Sequence, residues 1–396
     1  MPRSKYTPLA KTIFLVAFIT ILLYGCASRQ STEIETASTV TKSFIIPGIP
    51  TEKMKPTRPN IPNTPTPILI LPKLEGKIAI SSGPYDNFDI YVLDVGCIHL
   101  PDGCKGQMDK IVESEFMEGN AIWSPNGTKL AFMSDQYAQH GVADIFIMNS
   151  DGSGVNRLTF DPAHEESPSW SPDGQNLVFV TRPNGDSQIT TISIDGEHFN
   201  KLPDALQWNL RPIWSPDGTK ITFLARNKLP NAFLYIMNTD GSEQILLTPT
   251  PIVEEYSIPS WSPDGKTIAF TCVLNDNFDI CLVDLDGFEI KRLTSNIALD
   301  KFPVWSPDGE KLAFASNRDE NYEIYVMDKD GTNQKRLTYN LAHDYNPIWA
   351  PNGNYIVFDS YLDGRGQIYV IDPLGTWVAR LTFTEFHVNW DSLWTP

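Results

Sequence analysis

One pentapeptide, repeated at a near-constant interval, restricts this 396-residue chain more than any other feature. Its fullest form is Trp305-Ser306-Pro307-Asp308-Gly309, and near copies begin at Trp123, Trp170, Trp214, Trp261 and Trp349. A truncated relative, Trp394-Thr395-Pro396, ends the sequence. Successive Trp residues stand 47, 44, 47, 44, 44 and 45 positions apart. A period of about 40–45 residues with turn signals at fixed offsets is the signature of β-propeller blades, each a four-stranded antiparallel sheet.

Alignment on the Trp predicts the four strands. The first ends in the Trp, as in Phe302-Pro303-Val304-Trp305. Ser306-Pro307-Asp308-Gly309 then turns the chain, because proline pre-sets φ and glycine tolerates the left-handed position a hairpin needs. A second strand follows as Lys311-Leu312-Ala313-Phe314, and a third as Glu323-Ile324-Tyr325-Val326-Met327-Asp328. The fourth carries Arg336-Leu337-Thr338, echoed at Arg157, Arg292 and Arg380. Lys77-Ile78-Ala79-Ile80, Asp89 to Asp94 and Ile111-Val112 supply three strands before the first full pentapeptide, and the segment ending at Trp394 supplies one after the sixth. The fold class expected is therefore all-β: a seven-bladed propeller of four-stranded blades, closed by pairing the C-terminal strand with the N-terminal ones.

These motifs resemble the PD40, or WD40-like, repeat of the TolB propeller family, over roughly residues 74–396. The resemblance implies the fold. The family's namesake has six blades behind an α/β domain, whereas seven are counted here behind a tether, a departure that keeps the implied fold and leaves a role in the Tol-Pal system open.

Ahead of the repeats, Arg3, Lys5 and Lys11 precede a 12-residue apolar run, Thr12 to Leu23. This matches an export signal and is short of the roughly 20 residues of a membrane-spanning helix. Leu23-Tyr24-Gly25-Cys26 resembles a bacterial lipobox, which implies lipidation at Cys26 after removal of residues 1–25. Residues 26–73 are rich in Ser, Thr and Pro and read as a disordered tether, leaving 74–396 for the propeller. The chain is thus expected at a bacterial membrane through its lipid anchor only, facing the periplasm or the exterior. The other four cysteines favour two short-range disulfides, Cys97 with Cys104 and Cys272 with Cys281, and reduced core thiols are the alternative. With Asp276-Asn277 as a two-residue turn, Cys272 and Cys281 fall directly opposite each other.

The balance of 48 acidic and 31 basic residues gives a net charge of −17, or −20 without residues 1–25. Nucleic acid is excluded as a partner for want of a basic patch. There is no nucleophile elbow, metalloprotease motif, phosphate loop or dinucleotide fingerprint, so no catalytic residue is assigned and no cofactor is expected.

Because strand direction alternates, the fourth-to-first and second-to-third connections share one face, and the Ser-Pro-Asp-Gly turns lie on the other. On the loop-rich face the candidates are His164, Glu165, Glu255, Asp300, His343, Asp344 and His387. His164, His343 and His387 are weak candidates for a divalent metal near the central channel. An acidic residue five before the Trp, as at Glu165, Asp300 and Asp344, equally suits a structural role in tying down the strand entry. Trp208, Tyr256, Tyr345 and Trp390 add aromatic surface suited to recognition.

The expected function is a non-enzymatic, surface-anchored, monomeric binding or scaffold module whose loop-rich face recognises a protein or glycan. The alternative is a metal-dependent polysaccharide lyase or hydrolase, by analogy with the oligogalacturonate lyases that these repeats resemble.

Overall fold

The structure, a computed structural model, describes residues 74–84, 87–100, 103–137, 142–203, 208–226, 232–248, 258–274, 277–386 and 388–394, the final six as backbone. The export signal, Cys26 and the tether lie outside the described residues, as do Glu255, Tyr256 and His387.

Seven four-stranded antiparallel sheets follow one another along the chain. Blades 2 to 7 span 118–157, 164–201, 208–246, 260–292, 300–336 and 344–380. Blade 1 joins both ends of the propeller: Lys77–Ser82, Asp89–Asp94 and Met108–Val112 are its outer three strands, and Val388–Trp394 is its innermost. Ile78 pairs with Trp394 and Ser82 with Val388.

Blade 6 shows how the repeat builds a blade. Its strands are Asp300–Trp305, Lys311–Asp319, Asn321–Asp328 and Lys335–Arg336, in that order from the axis outward. The second strand is apolar without alternation, Leu312 to Ala315, because each sheet is covered on both faces by its neighbours. Its Phe314 belongs to a set of buried phenylalanines, Phe132, Phe179, Phe223, Phe270, Phe314 and Phe358, one per blade from 2 to 7. Trp305 closes the first strand and packs on Ala269, Ile280 and Leu282 of blade 5. The blade 3 Trp170 donates its indole N–H to the Ile122 carbonyl of blade 2 at 3.1 Å, so the repeated Trp joins one blade to the one before it.

The turn after the Trp is held by its own side chains. Ser306 donates to Asp308 at 2.6 Å, Asp308 accepts the Glu310 N–H at 3.0 Å, and Ser306 Oγ accepts the Lys311 N–H at 2.9 Å. The Ser306 hydroxyl holds Asp308 below the usual carboxylate range. Gly309 has φ +70° and lies close enough to the preceding blade's Pro263 that an added Cβ would be 3.5 Å from its Cδ. Successive turns therefore stack around one face of the ring.

Arg-Leu-Thr is a clasp. Arg336 Nε donates to the Thr338 carbonyl at 2.6 Å, while its terminal nitrogen meets the fully buried Glu323 of the third strand at 2.6 Å. Thr338 Oγ1 accepts the Ile324 N–H at 2.9 Å and donates to Glu323 at 2.5 Å. Arg157 with Asp144 and Arg292 with Asp279 repeat the arrangement. Replacing Thr338 by Val keeps the shape and removes both bonds, so chemical denaturation should show a loss of about 2 kcal/mol. An unchanged midpoint would assign the clasp to the arginine alone.

Both cysteine pairs are bonded. The register around Cys272 differs from the expected one. Leu274 pairs with Asn277, leaving 275 and 276 between the strands, so Cys272 stands opposite Asp279 and Cys281 opposite Phe270. The two cysteines are diagonal neighbours with Cα atoms 5.8 Å apart, still within bridging distance. Cys97 lies in a short 3-10 helix, Val95–His99, and its bridge to Cys104 packs in the core between blades 7 and 1.

Candidate functional site

The first strands of blades 1 to 4, and those of blades 5 to 7, run side by side around the axis and begin at the loop-rich face. In five of them the residue three before the Trp, Asn120, Ser167, Arg211, Phe302 or Asn346, has φ between 48° and 56°. A register shift accompanies each. This β-bulge re-aims the strand just below the channel mouth, and left-handed backbone at Phe302 is strained for so bulky a residue. The Phe302 N–H is held by Thr271 Oγ1 of blade 5 at 3.2 Å.

Two residues above the bulge sits the acidic position. Glu165, Asp300 and Asp344 are fully buried, and Glu118, which the sequence reading passed over, occupies the same place in blade 2. Glu165 is hydrogen-bonded by Thr159 at 3.2 Å and Thr181 at 3.5 Å. Asp300 receives Arg318 at 3.0 and 3.1 Å and Asn296 at 2.9 Å. Asp344 receives Asn340 at 2.6 Å. Burial pushes Glu118 up to about 7, Glu165 to about 10 and Asp344 to about 6. Desolvation outweighs hydrogen bonding in each, and among the described residues no cation forms an ion pair with them. These three sequence candidates thus lie beneath the surface and anchor the strand entries.

The histidines are committed as well. His164 Nδ1 accepts the Ala143 N–H at 2.9 Å, and Glu166 lies 3.6 Å from its Nε2. His343 Nδ1 accepts the Tyr322 N–H at 3.1 Å. They enter blades 3 and 7, on different sides of the ring, and the structure does not bring them together. Among the described residues the one group of three donors within 4.8 Å is Asp195, Glu197 and His198, exposed at a turn on the opposite face. Asp195 there already accepts the Ser193 hydroxyl and the Glu197 N–H as part of its turn.

What the loop-rich face does assemble is an arc of rings over blades 5 to 7. Lys301 Nζ lies 4.3 Å from the Phe278 ring centre and 5.9 Å from that of Tyr322. Tyr322 is 4.8 Å from Tyr345, and Tyr345 is 6.2 Å from Tyr361 in an edge contact. Phe302 meets Tyr345 edge-on at 6.3 Å, and the exposed His343 stacks on it at 5.7 Å. Of the sequence candidates, Tyr345 and His343 belong to this arc. Trp208 is separate, in blade 4, with Arg226 over its ring at 5.3 Å. Trp390 is in the closing strand. Phe278, Phe302, Tyr322 and Tyr361 were missed. Tyr322 and Tyr361 flank second-to-third connections, and aligning those against one another, instead of only the loops before each Trp, would have exposed them.

The TolB β-propeller domain model matches residues 98–258 and 234–396. An uncharacterized peptidase, YuxL, of Bacillus subtilis is 28% identical over 161 residues, covering 40% of this chain and 18% of that protein. The chain thus spans less than a fifth of the length of that relative. A solved structure of a TolB from Agrobacterium tumefaciens shares 25% identity with a TM-score of 0.50, covering 60% of this chain and 88% of that one. An oligogalacturonate lyase in complex with manganese superimposes at TM-score 0.57 with 15% identity, over 78% of this chain and 86% of the other, a likeness of fold alone. With seven PD40-type blades and a family match over most of its length, the chain belongs to the TolB β-propeller family.

Proposed function

We propose that this protein is a non-catalytic recognition module whose loop-rich face holds a protein or glycan partner over the ring arc of blades 5 to 7. The arc carries the reading: half-buried Tyr322 and Tyr345, with exposed Tyr361 and His343, sit on a rigid scaffold and need little ordering to bind. Tyrosines in such a setting combine apolar area with a polar tip, which suits protein contacts and sugar faces alike. The N-terminal sequence supports an exported, lipid-anchored form attached through Cys26. The lyase alternative would need ligands the described residues do not gather, since both His164 and His343 spend Nδ1 on backbone.

The test is retention of envelope proteins and of a glycan panel by the full mature chain, compared with a Tyr345→Ala, Tyr361→Ala variant. Retention should fall at least tenfold with the melting temperature little changed. Equal retention by both would remove this face from the argument.

A further inference from the structure

Around its acidic position blade 6 builds a seat for a guanidinium. Asp300 pairs across the strands with Ser316, and Arg318 follows two residues later. Arg318 donates from Nε to Ser316 Oγ at 2.8 Å and from a terminal nitrogen to the two Asp300 oxygens at 3.0 and 3.1 Å. Its other terminal nitrogen donates to Gln334 at 2.8 Å. The guanidinium carbon lies 4.5 Å from the ring centre of Tyr325 and 5.5 Å from that of Phe314.

Blade 7 repeats this seat except for Gln334, where Val378 stands, and the arginine itself. Asp344 pairs with Ser360, and Asn340 donates to Asp344 Oδ2 at 2.6 Å, as Asn296 donates to Asp300 Oδ2 at 2.9 Å. Phe358 and Tyr369 are 5.8 Å apart, against 5.6 Å for Phe314 and Tyr325. The arginine's position is taken by Leu362, which is 52% exposed. Asp344 Oδ1 and Ser360 Oγ are buried, and neither makes a well-formed hydrogen bond, although the two side chains are neighbours. They are the counterparts of atoms that Arg318 bonds in blade 6. An unpartnered buried oxygen is costly, so a donor that fits it recovers that cost on binding.

The blade's own cations leave the seat empty. Arg380 is held at the Thr382 carbonyl, at 2.6 Å, and by Asp363, just as its counterpart Arg336 is held by Thr338 and Asp319. Exposed Arg365 bonds to neither orphaned atom.

We propose that blade 7 receives a guanidinium from outside, the arginine side chain of a protein partner, bonded to Asp344 Oδ1 and Ser360 Oγ over Tyr369 and Phe358. The proposal rests on the recognition-face reading and narrows its partner to a protein, since Tyr345 and Tyr361 of the ring arc adjoin Asp344 and Leu362 in the chain. A guanidinium is planar, bonds two acceptors side by side and stacks on rings, whereas an ammonium is a compact, strongly hydrated point charge. Leu362 lies in a second-to-third connection at the surface, so an incoming side chain displaces it without disturbing the core.

L-argininamide is the probe, with L-citrullinamide and L-lysinamide as controls, read by saturation-transfer NMR on the full chain. Argininamide should bind saturably and at least tenfold more tightly than either control. Leu362→Arg supplies the missing group from within the blade, so it should weaken argininamide binding at least tenfold and raise the melting temperature by roughly 2 °C. No saturable argininamide binding, equal binding of the three amides, undiminished binding by Leu362→Arg, or a lowered melting temperature in that variant overturns the proposal. Retention that falls in the Tyr345→Ala, Tyr361→Ala variant while argininamide fails to bind the parent would leave the recognition face standing and remove the guanidinium seat.

Discussion

Removing residues 388–396 should abolish cooperative folding of the entire ring. The deleted segment contains the innermost strand of blade 1, paired with Lys77–Ser82. Without it the inner edge of Lys77–Ser82 is unpaired, and the seam between blades 7 and 1 loses Val388 from a cluster that includes Ile80, Val357 and Ile368. An opened edge of this kind also templates association between chains. Against a total stability of about 5–15 kcal/mol, loss of a core strand exceeds what the remainder can offset. Near-ultraviolet circular dichroism and size-exclusion chromatography would read the result. A truncated chain that remains monomeric and melts cooperatively within a few degrees of the full one would show that closure contributes little.

The second large effect is a loss of stability as pH rises from 5 to 8. Glu165 has its folded value raised from 4.5 to about 10, Glu118 from 4.5 to about 7 and Asp344 from 3.8 to about 6. Burial also raises the buried Asp359 at the blade 7 to blade 1 seam well above its ordinary value. A group raised on folding contributes fully below its unfolded value and loses that contribution as pH climbs through the folded one. At about 1.4 kcal/mol per unit, Glu165 alone should cost roughly 4 kcal/mol between pH 5 and pH 8. Asp308 and the equivalent turn aspartates are lowered by their serine partners, and they act in the other direction below about pH 4. Stability should therefore peak near pH 5. Glu165→Gln keeps the shape and the threonine bonds without the proton, so its urea midpoint should exceed that of the unmodified protein at pH 8 and approach it at pH 5. A variant with the same pH slope as the parent would mean that Glu165 ionises without penalty.

How much of this was legible beforehand follows from the range of each interaction. Trp305, Gly309 and Phe314 act within their own repeat or on the preceding blade, so periodicity alone located strands, turns and core. The acidic position before each Trp was visible as a repeat, and its structural reading agrees with the burial of Glu165, Asp300 and Asp344. The Cys272 register was missed because two-residue turns at 275–276 and at 276–277 look alike in sequence, while only inter-strand pairing tells them apart. The ring arc escaped because Phe278, Tyr322 and Tyr361 come from three blades and meet only once those blades are packed side by side. Repetition shows what every blade must do, and a site is where blades differ.

The closing strand also sets an order of events. Lys77–Ser82 waits for a partner that lies about 300 residues downstream, and at 5–20 residues per second the wait is roughly 15–60 s of synthesis. Blades 2 to 6 have all their own strands long before then, whereas blade 1 remains three-stranded until the last segment is made. Ring closure is therefore the final step, a contact of very high sequence separation that is slow by topology, and during that interval the nascent chain is open to capture by chaperones or export machinery.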